Sequence, residues 1–220
     1  MARLRVQTVD HAGAREIFPE LSKVHAECFP DDVPTDVEEE SSDAFFDRVT
    51  WLHEETEATW FLLREVASTP EDEEIGALIG FACGYKYADS WYGAHLGVIP
   101  SKRKRGYGSY LMRISQAHAA DLGIRRLQAS VEVDPRIRRG RLLRYYIRHG
   151  AKLVNTGIGS AGSAAGSVVR IERHFTPEIA QKELTRSRDR VLNRRFAVPH
   201  LAIIAVAFGV AAKFHVQHSS

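Results

Sequence analysis

Between Leu96 and Met112 the chain reads LGVIPSKRKRGYGSYLM: an apolar run, a proline, four consecutive basic residues, two closely set glycines and then uninterrupted helix formers. A strand that turns at once into a helix leaves the first helical N–H groups without internal partners, at the positive end of the helix dipole. Gly106 and Gly108 remove side chains there, so an anion can approach the amides closely. Lys102, Arg103, Lys104 and Arg105 add charge that suits phosphate oxygens. The stretch predicts an anion site, most simply for a diphosphate. No GK[ST] follows, which excludes a Walker loop, and the full GxGxxG dinucleotide pattern is missing. The competing reading is a solvated basic turn whose glycines serve only its tightness.

The rest of the chain is compatible with one globular domain and an appendage. Its 220 residues are 44% hydrophobic and 26% charged, which excludes a disordered or fibrous chain. A net charge of +2 excludes bulk polycationic binding to nucleic acid, but the charge is segregated. Residues 31–57 hold eleven Asp or Glu against Arg48 alone, and residues 102–148 hold thirteen Lys or Arg against three acids. Cys28 and Cys83 lack metal or disulfide spacing and read as buried, reduced thiols. The basic N-terminus has no secretory apolar run, so a cytosolic compartment is expected.

Periodicity predicts strands over Leu4–Val9, Thr59–Val66, Ile75–Tyr87, Trp91–Ile99, Leu127–Val133, Ala151–Val154 and Val168–Phe175. Helices are predicted over Ile17–Cys28, Asp43–Glu55, Ser109–Leu122 and Arg138–His149, the third closed by Gly123 and the fourth by Gly150. This order implies a mixed α/β fold: a mostly antiparallel central sheet with helices on both faces. The domain is expected over 3–175. A basic polar helix or linker over 176–195 follows, then a hydrophobic C-terminal helix over 196–214.

With these elements in place, the sequence resembles the GNAT superfamily of acyl-CoA-dependent N-acyltransferases. The resemblance rests on Leu96-Gly97-Val98-Ile99-Pro100 followed by Arg103-Lys104-Arg105-Gly106-Tyr107-Gly108, matching the family's L-x-V-x-P and R/Q-x-x-G-x-G/A. Late in the domain, Leu143 to Ala151 fits the family's Leu-Tyr-x-x-x-Gly-Phe, with Tyr146 four residues before Gly150 and Ala151 replacing the final aromatic. The resemblance implies acetyl-CoA as cosubstrate. Backbone groups of Leu96, Gly97 and Val98 would line its pantetheine arm, and amides from Arg103 to Gly108 would hold its diphosphate. Tyr146 would protonate the departing thiolate, a task suited to a phenol of pKa about 10. Tyr145 takes that place if the register shifts by one.

Tyr92 stands about where many relatives carry a glutamate base. His95, Glu132 and Glu65 are the remaining candidates, with His95 preferred because its pKa near ~6.5 needs little tuning. The resemblance implies an amine acceptor entering over the first two helices, where Asp31, Asp32, Asp36, Glu38, Glu39 and Glu40 would favour a cation. Residues 196–212 are apolar apart from Pro199 and His200, and arginines precede them. They read either as a tail anchor on the cytosolic face of a membrane or as a helix packed on the domain or a second subunit. No metal site is expected. Two other readings remain: a CoA-binding fold without catalysis, and an arginine-rich nucleic-acid module over 136–148, which leaves Gly106 and Gly108 without a role.

Overall fold

The structure is a computed structural model that describes residues 3–32, 40–50, 58–66, 76–133, 141–154 and 167–193. The elements run β1 (Arg3–Val9), α1 (His11–Glu16), α2 (Phe18–Cys28), α3 (Ser42–Thr50), β2 (Thr59–Val66), β3 (Ala77–Tyr87) and β4 (Ser90–Val98). They continue with α4 (Tyr107–Asp121), β5 (Arg126–Val133), α5 (Arg141–Arg148), β6 (Lys152–Leu153), β7 (Ser167–His174) and a last helix, α6, over 177–193. The strands form one sheet in the order β1-β2-β3-β4-β5-β7-β6. Every neighbouring pair is antiparallel except β4 and β5.

Both faces of the sheet are covered, which explains why β2 reads TWFLL with no polar alternation. Trp60 and Leu62 pack with α1, α2 and α3 around Phe45, Phe46 and Leu21, whereas Phe61 and Leu63 pack with Leu111 and Ala119 of α4. Trp91 of β4 is also on the α4 side, and its indole N–H donates to Ser115 Oγ at 2.9 Å. A smaller cluster under α5 joins Ala129, Val131, Ala151 and Ile171, with Leu143 and Tyr146 against it.

Three differences from the sequence expectations have local causes. Helix α1 has only six residues, too short for a periodic stripe, and is held by Asp10, whose carboxylate accepts from the Gly13 N–H at 2.8 Å. Helix α4 begins at Tyr107 rather than Ser109, because Tyr107 turns its ring into the main core. The stretch after Phe175 takes the helical form, but α6 is not only polar: it buries Ala180 and Val191 in that same core. Residues 194–220, with the hydrophobic segment expected over 196–214, lie outside the described residues. Among the described residues no helix is long and apolar enough to cross a membrane.

One ion pair ties the first helical layer to the sheet. Arg64 of β2, 2% exposed at its side chain, donates to both carboxylate oxygens of Glu20 on α2 at 2.8 and 2.6 Å, and to the Gly76 carbonyl. Burial alone would raise the Glu20 pKa, but hydrogen bonds from Arg64 and the Leu78 N–H hold it below its ordinary 4.5. A depressed folded-state carboxyl contributes stability that is intact above about 4.5 and lost as pH falls through the lower folded value. Glu20→Gln leaves a buried guanidinium without its counter-charge and should cost about 2 kcal/mol at pH 7, at the low end because the carboxylate is partly in water. Urea denaturation at pH 7 and pH 3.5 checks this: the variant should lose less than the wild type on acidification, and equal losses would refute it.

Candidate functional site

The site begins where the sheet comes apart. Strands β4 and β5 pair only at Trp91–Leu127, Tyr92–Gln128 and Gly93–Ala129. Beyond Gly93 a register shift between Cys83 and Gly84 of β3 marks a bulge in the β3–β4 ladder. The extra residue bends β4 away from β5. It also leaves Ala94 and His95 both toward α2, while Leu96 and Val98 point toward α4. Gly97 lets the end of α2 close on this segment, since a Cβ there would meet Cys28 and Phe29 at 3.0 Å.

Above the parting sits the N-terminus of α4. Its N-cap is Gly106, in the left-handed region at φ 91° and with no side-chain cap. Lys104 also has positive φ, at 64°, whereas Arg103 and Arg105 do not. Two left-handed residues this close to a helix start are a backbone feature that helix periodicity could not reveal. Gly108 faces the gap itself: a Cβ there would lie 3.5 Å from Leu96 Cδ2 and 4.0 Å from Val98 Cγ2 and the Tyr145 hydroxyl.

The four basic side chains of this loop have different fates. Lys102 forms an ion pair with Glu65 of β2, which also takes Glu65 out of consideration as a base. Arg103 donates to the Val98 carbonyl at 2.9 Å and the Cys28 carbonyl at 3.0 Å, clamping the loop to β4 and α2. The expectation that these two side chains face phosphate is therefore corrected: their charge is engaged within the protein. Lys104 and Arg105 are exposed.

Two adjacent phenols come from α5. Tyr145 donates to Ser109 Oγ in the first turn of α4 at 3.2 Å, and Tyr146 lies over Ala129 and Val131 of β5. Because α4 covers β4 and α5 covers β5, the pair stands over the parting. Burial pushes both phenols upward, Tyr146 more strongly and with a further push from Tyr145, so both stay protonated near neutrality.

A model of the acetyltransferase (GNAT) family matches residues 18–150. The chain belongs to that family. Solved structures agree on the GNAT fold at low identity. The ribosomal-protein-S18-alanine N-acetyltransferase of Escherichia coli superposes with a TM-score of 0.54 at 10% identity, over 79% of this chain and 95% of that one. An IAA acetyltransferase from Bacillus cereus gives 0.52 at 11%, over 79% and 100%. The PaiA N-acetyltransferase of Thermoplasma acidophilum, in complex with coenzyme A, gives 0.52 at 15%, over 79% and 99%. No curated protein matches the chain by sequence.

On this GNAT scaffold the base candidates separate. His95 stands on β4 beyond the bulge, its ring 5.5 Å from His25 and 5.4 Å from Phe29. Tyr92 places its hydroxyl on Ser130 Oγ at 2.9 Å, bridging β4 to β5. The side chain of Glu132 lies outside the described residues, as do residues 33–39 with Asp36, Glu38 and Glu39 of the acidic run. Glu40, at the end of that run, is held bidentate by Arg48 at 2.8 and 2.7 Å. Both thiols are buried and pushed up, Cys28 to about 11 and Cys83 to about 12. Among the described residues no group of three or more His, Cys, Asp or Glu could hold a metal.

Sequence reasoning missed two groups. One is His25, 1% exposed, with its Nε2 lacking a hydrogen-bond partner among the described residues. Burial first, then His95 and Arg48, push its pKa from 6.5 to about 3. The other is a polar cluster of Ser109, Arg113, Gln116, His149, Arg173 and Glu183, brought from four elements that no spacing connects. For His25 the folded state refuses a proton that the unfolded chain accepts below about 6.5, so stability rises with pH between the two values. That slope reaches about 1.4 kcal/mol per pH unit. His25→Gln should flatten it, seen as a smaller loss between pH 7 and pH 5 in denaturant titrations. An unchanged slope would refute the assignment.

Proposed function

We propose that the protein transfers an acetyl group from acetyl-CoA to a primary amine by direct attack within a ternary complex. The observation that carries this reading is the parting of β4 from β5 directly beneath the uncapped N-terminus of α4. The pairing of β4 with β5 ends at Gly93, and a pantetheine arm has amides that could pair with the edge of β4 beyond it. The Arg103 amide is taken by the Pro100 carbonyl at 3.2 Å, so the amides of Lys104 to Gly108 would receive the diphosphate, assisted by the exposed Arg105. Gly108 supports this use because even a Cβ there would already be in van der Waals contact with Leu96, Val98 and Tyr145 at 3.5 to 4.0 Å, so its missing side chain keeps the approach to the turn clear.

In the reaction the residues of the chain have three tasks. A β4 N–H near Val98 polarises the thioester carbonyl, and the bound pair gains rate from orientation. A phenol of α5 protonates the leaving sulfur. His95 takes the proton that the amine nitrogen loses, from the α2 side where the acceptor enters. Its neighbour His25 stays neutral at pH 7, so it adds no opposing charge.

Isothermal titration with acetyl-CoA tests the cofactor half. Binding to the wild type is expected, and Gly108→Val should weaken it at least about tenfold, or ~1.4 kcal/mol, by filling the gap. Gly108→Ala should weaken binding in the same direction with little change in urea unfolding, because a Cβ there meets no atom closer than 3.5 Å. A thiol-release screen over an amine library then tests the transfer, with His95→Gln expected to lower kcat about a hundredfold. Binding without thiol release toward any amine would leave a CoA-binding fold without catalysis. Absence of binding would remove the whole reading.

A further inference from the structure

Helix α6 lies outside the residues 18–150 matched by the family, and the proposed reaction makes no use of it. Three contacts fix its course along α4. Val191 Cγ2 stands 3.4 Å from the Cβ position of Gly106, Tyr110 feels the charge of Arg188, and Arg113 Nη1 pairs with Glu183 at 2.9 Å. Positions rise along α4 as they fall along α6, so the two helices run antiparallel. The last turn of α6 therefore finishes beside the turn that starts α4. Arg173 of β7 donates to both Glu183 oxygens at 2.7 and 2.8 Å, and with the buried Ala180 and Val191 this holds α6 in place.

The end delivered to that turn is basic. Arg186, Arg188 and Arg190 are exposed, with Asp189 the one acid among residues 184–193. Arg188 meets Asp189 only at 3.9 Å, with 57% and 55% of the two side chains exposed, and a pair so wet leaves the arginine charge available to a ligand. The charge of Arg190 is felt by His149 at the end of α5. At 3.6 residues per turn, Arg188 and Arg190 flank Val191 on its two sides, one toward α4 and the other toward α5. Docking of α6 uses Ala180, Glu183 and Val191 and leaves both arginines exposed.

Resting on that reading, we propose that Arg188 and Arg190 hold a second phosphate of the cofactor, the 3′-phosphate that coenzyme A carries on its ribose, while the α4 turn holds the diphosphate. Both groups sit on one sugar, so a diphosphate at the turn leaves the 3′-phosphate within a ribose's breadth of it. Val191, between the two arginines, is the α6 residue that stands against the turn. A phosphate monoester carries between one and two negative charges near neutrality, and each guanidinium offers its oxygens a fork of N–H donors. The C-terminal end of a helix is the negative end of its dipole, so α6 attracts an anion through these side chains and not through its backbone.

Isothermal titration of the full chain with coenzyme A and with 3′-dephospho-coenzyme A tests this, because the two ligands differ in that phosphate alone. At physiological salt the wild type should bind coenzyme A about tenfold more tightly, and molar salt should shrink the advantage. Arg188→Gln combined with Arg190→Gln should bring the ratio close to unity by weakening coenzyme A alone. Glutamine is as good a helix former as arginine, so α6 is kept. Lys182→Gln removes a charge from the same helix about 12 Å before Arg190, beyond the screening length of about 8 Å, and should leave the ratio unchanged. Equal binding of the two ligands by the wild type, or a ratio that survives the double variant, overturns this proposal and leaves the acetyltransferase reading standing. A ratio that falls as far with Lys182→Gln also overturns it, since bulk charge would then suffice. Failure of both ligands to bind the wild type overturns the acetyltransferase reading and this proposal together.

Discussion

The one parallel pairing in the sheet, and its early end, sets up everything else. Each antiparallel neighbour of the long strands keeps its register for most of its length, but β4 and β5 share three residue pairs and then separate. A sheet that opens in its middle carries an edge inside the protein, with N–H and C=O groups that water or a ligand must satisfy. The bulge opposite Cys83 and Gly84 makes that opening a property of the backbone rather than of any side chain. It also turns His95 to one face and Leu96 with Val98 to the other, so one strand presents side chains to both layers of helices.

Helices α4 and α5 follow from the same constraint. A parallel neighbour demands a crossover, and α4 is that crossover, so its N-terminus must start at the end of β4 where the opening lies. The amides and dipole of α4 are thus delivered to the gap by topology. Helix α5 then covers β5 as α4 covers β4, and the line between them runs above the opening. Tyr145 reaching Ser109 is the hydrogen bond that closes this line.

Much of this was legible in the chain. The β2 run, the β3 and β4 strands and the basic glycine turn are local patterns, and the family resemblance drawn from Leu96 to Gly108 and from Leu143 to Gly150 agrees with the family match. What could not be read depends on distant partners. Lys102 and Arg103 look like phosphate ligands in isolation, because nothing local announces that Glu65, Val98 and Cys28 will engage them. Tyr107 lies within the turn motif yet serves the core, and only its backbone is left for a ligand. The α6 arginines read as a solvated polar stretch, which hides the apolar pair Ala180 and Val191 and the inward carboxylate of Glu183.

Helix α6 ends beside the turn it supports: Val191 Cγ2 stands 3.4 Å from the Cβ position of Gly106. The opposite end of the described chain, Arg3, opens β1 at the far edge of the sheet. The last turn of α6 and the start of β1 are therefore unequal places for a label. A dye, affinity tag or surface tether attached just after residue 193 would crowd the mouth of the gap, while the same attachment ahead of β1 would leave it clear.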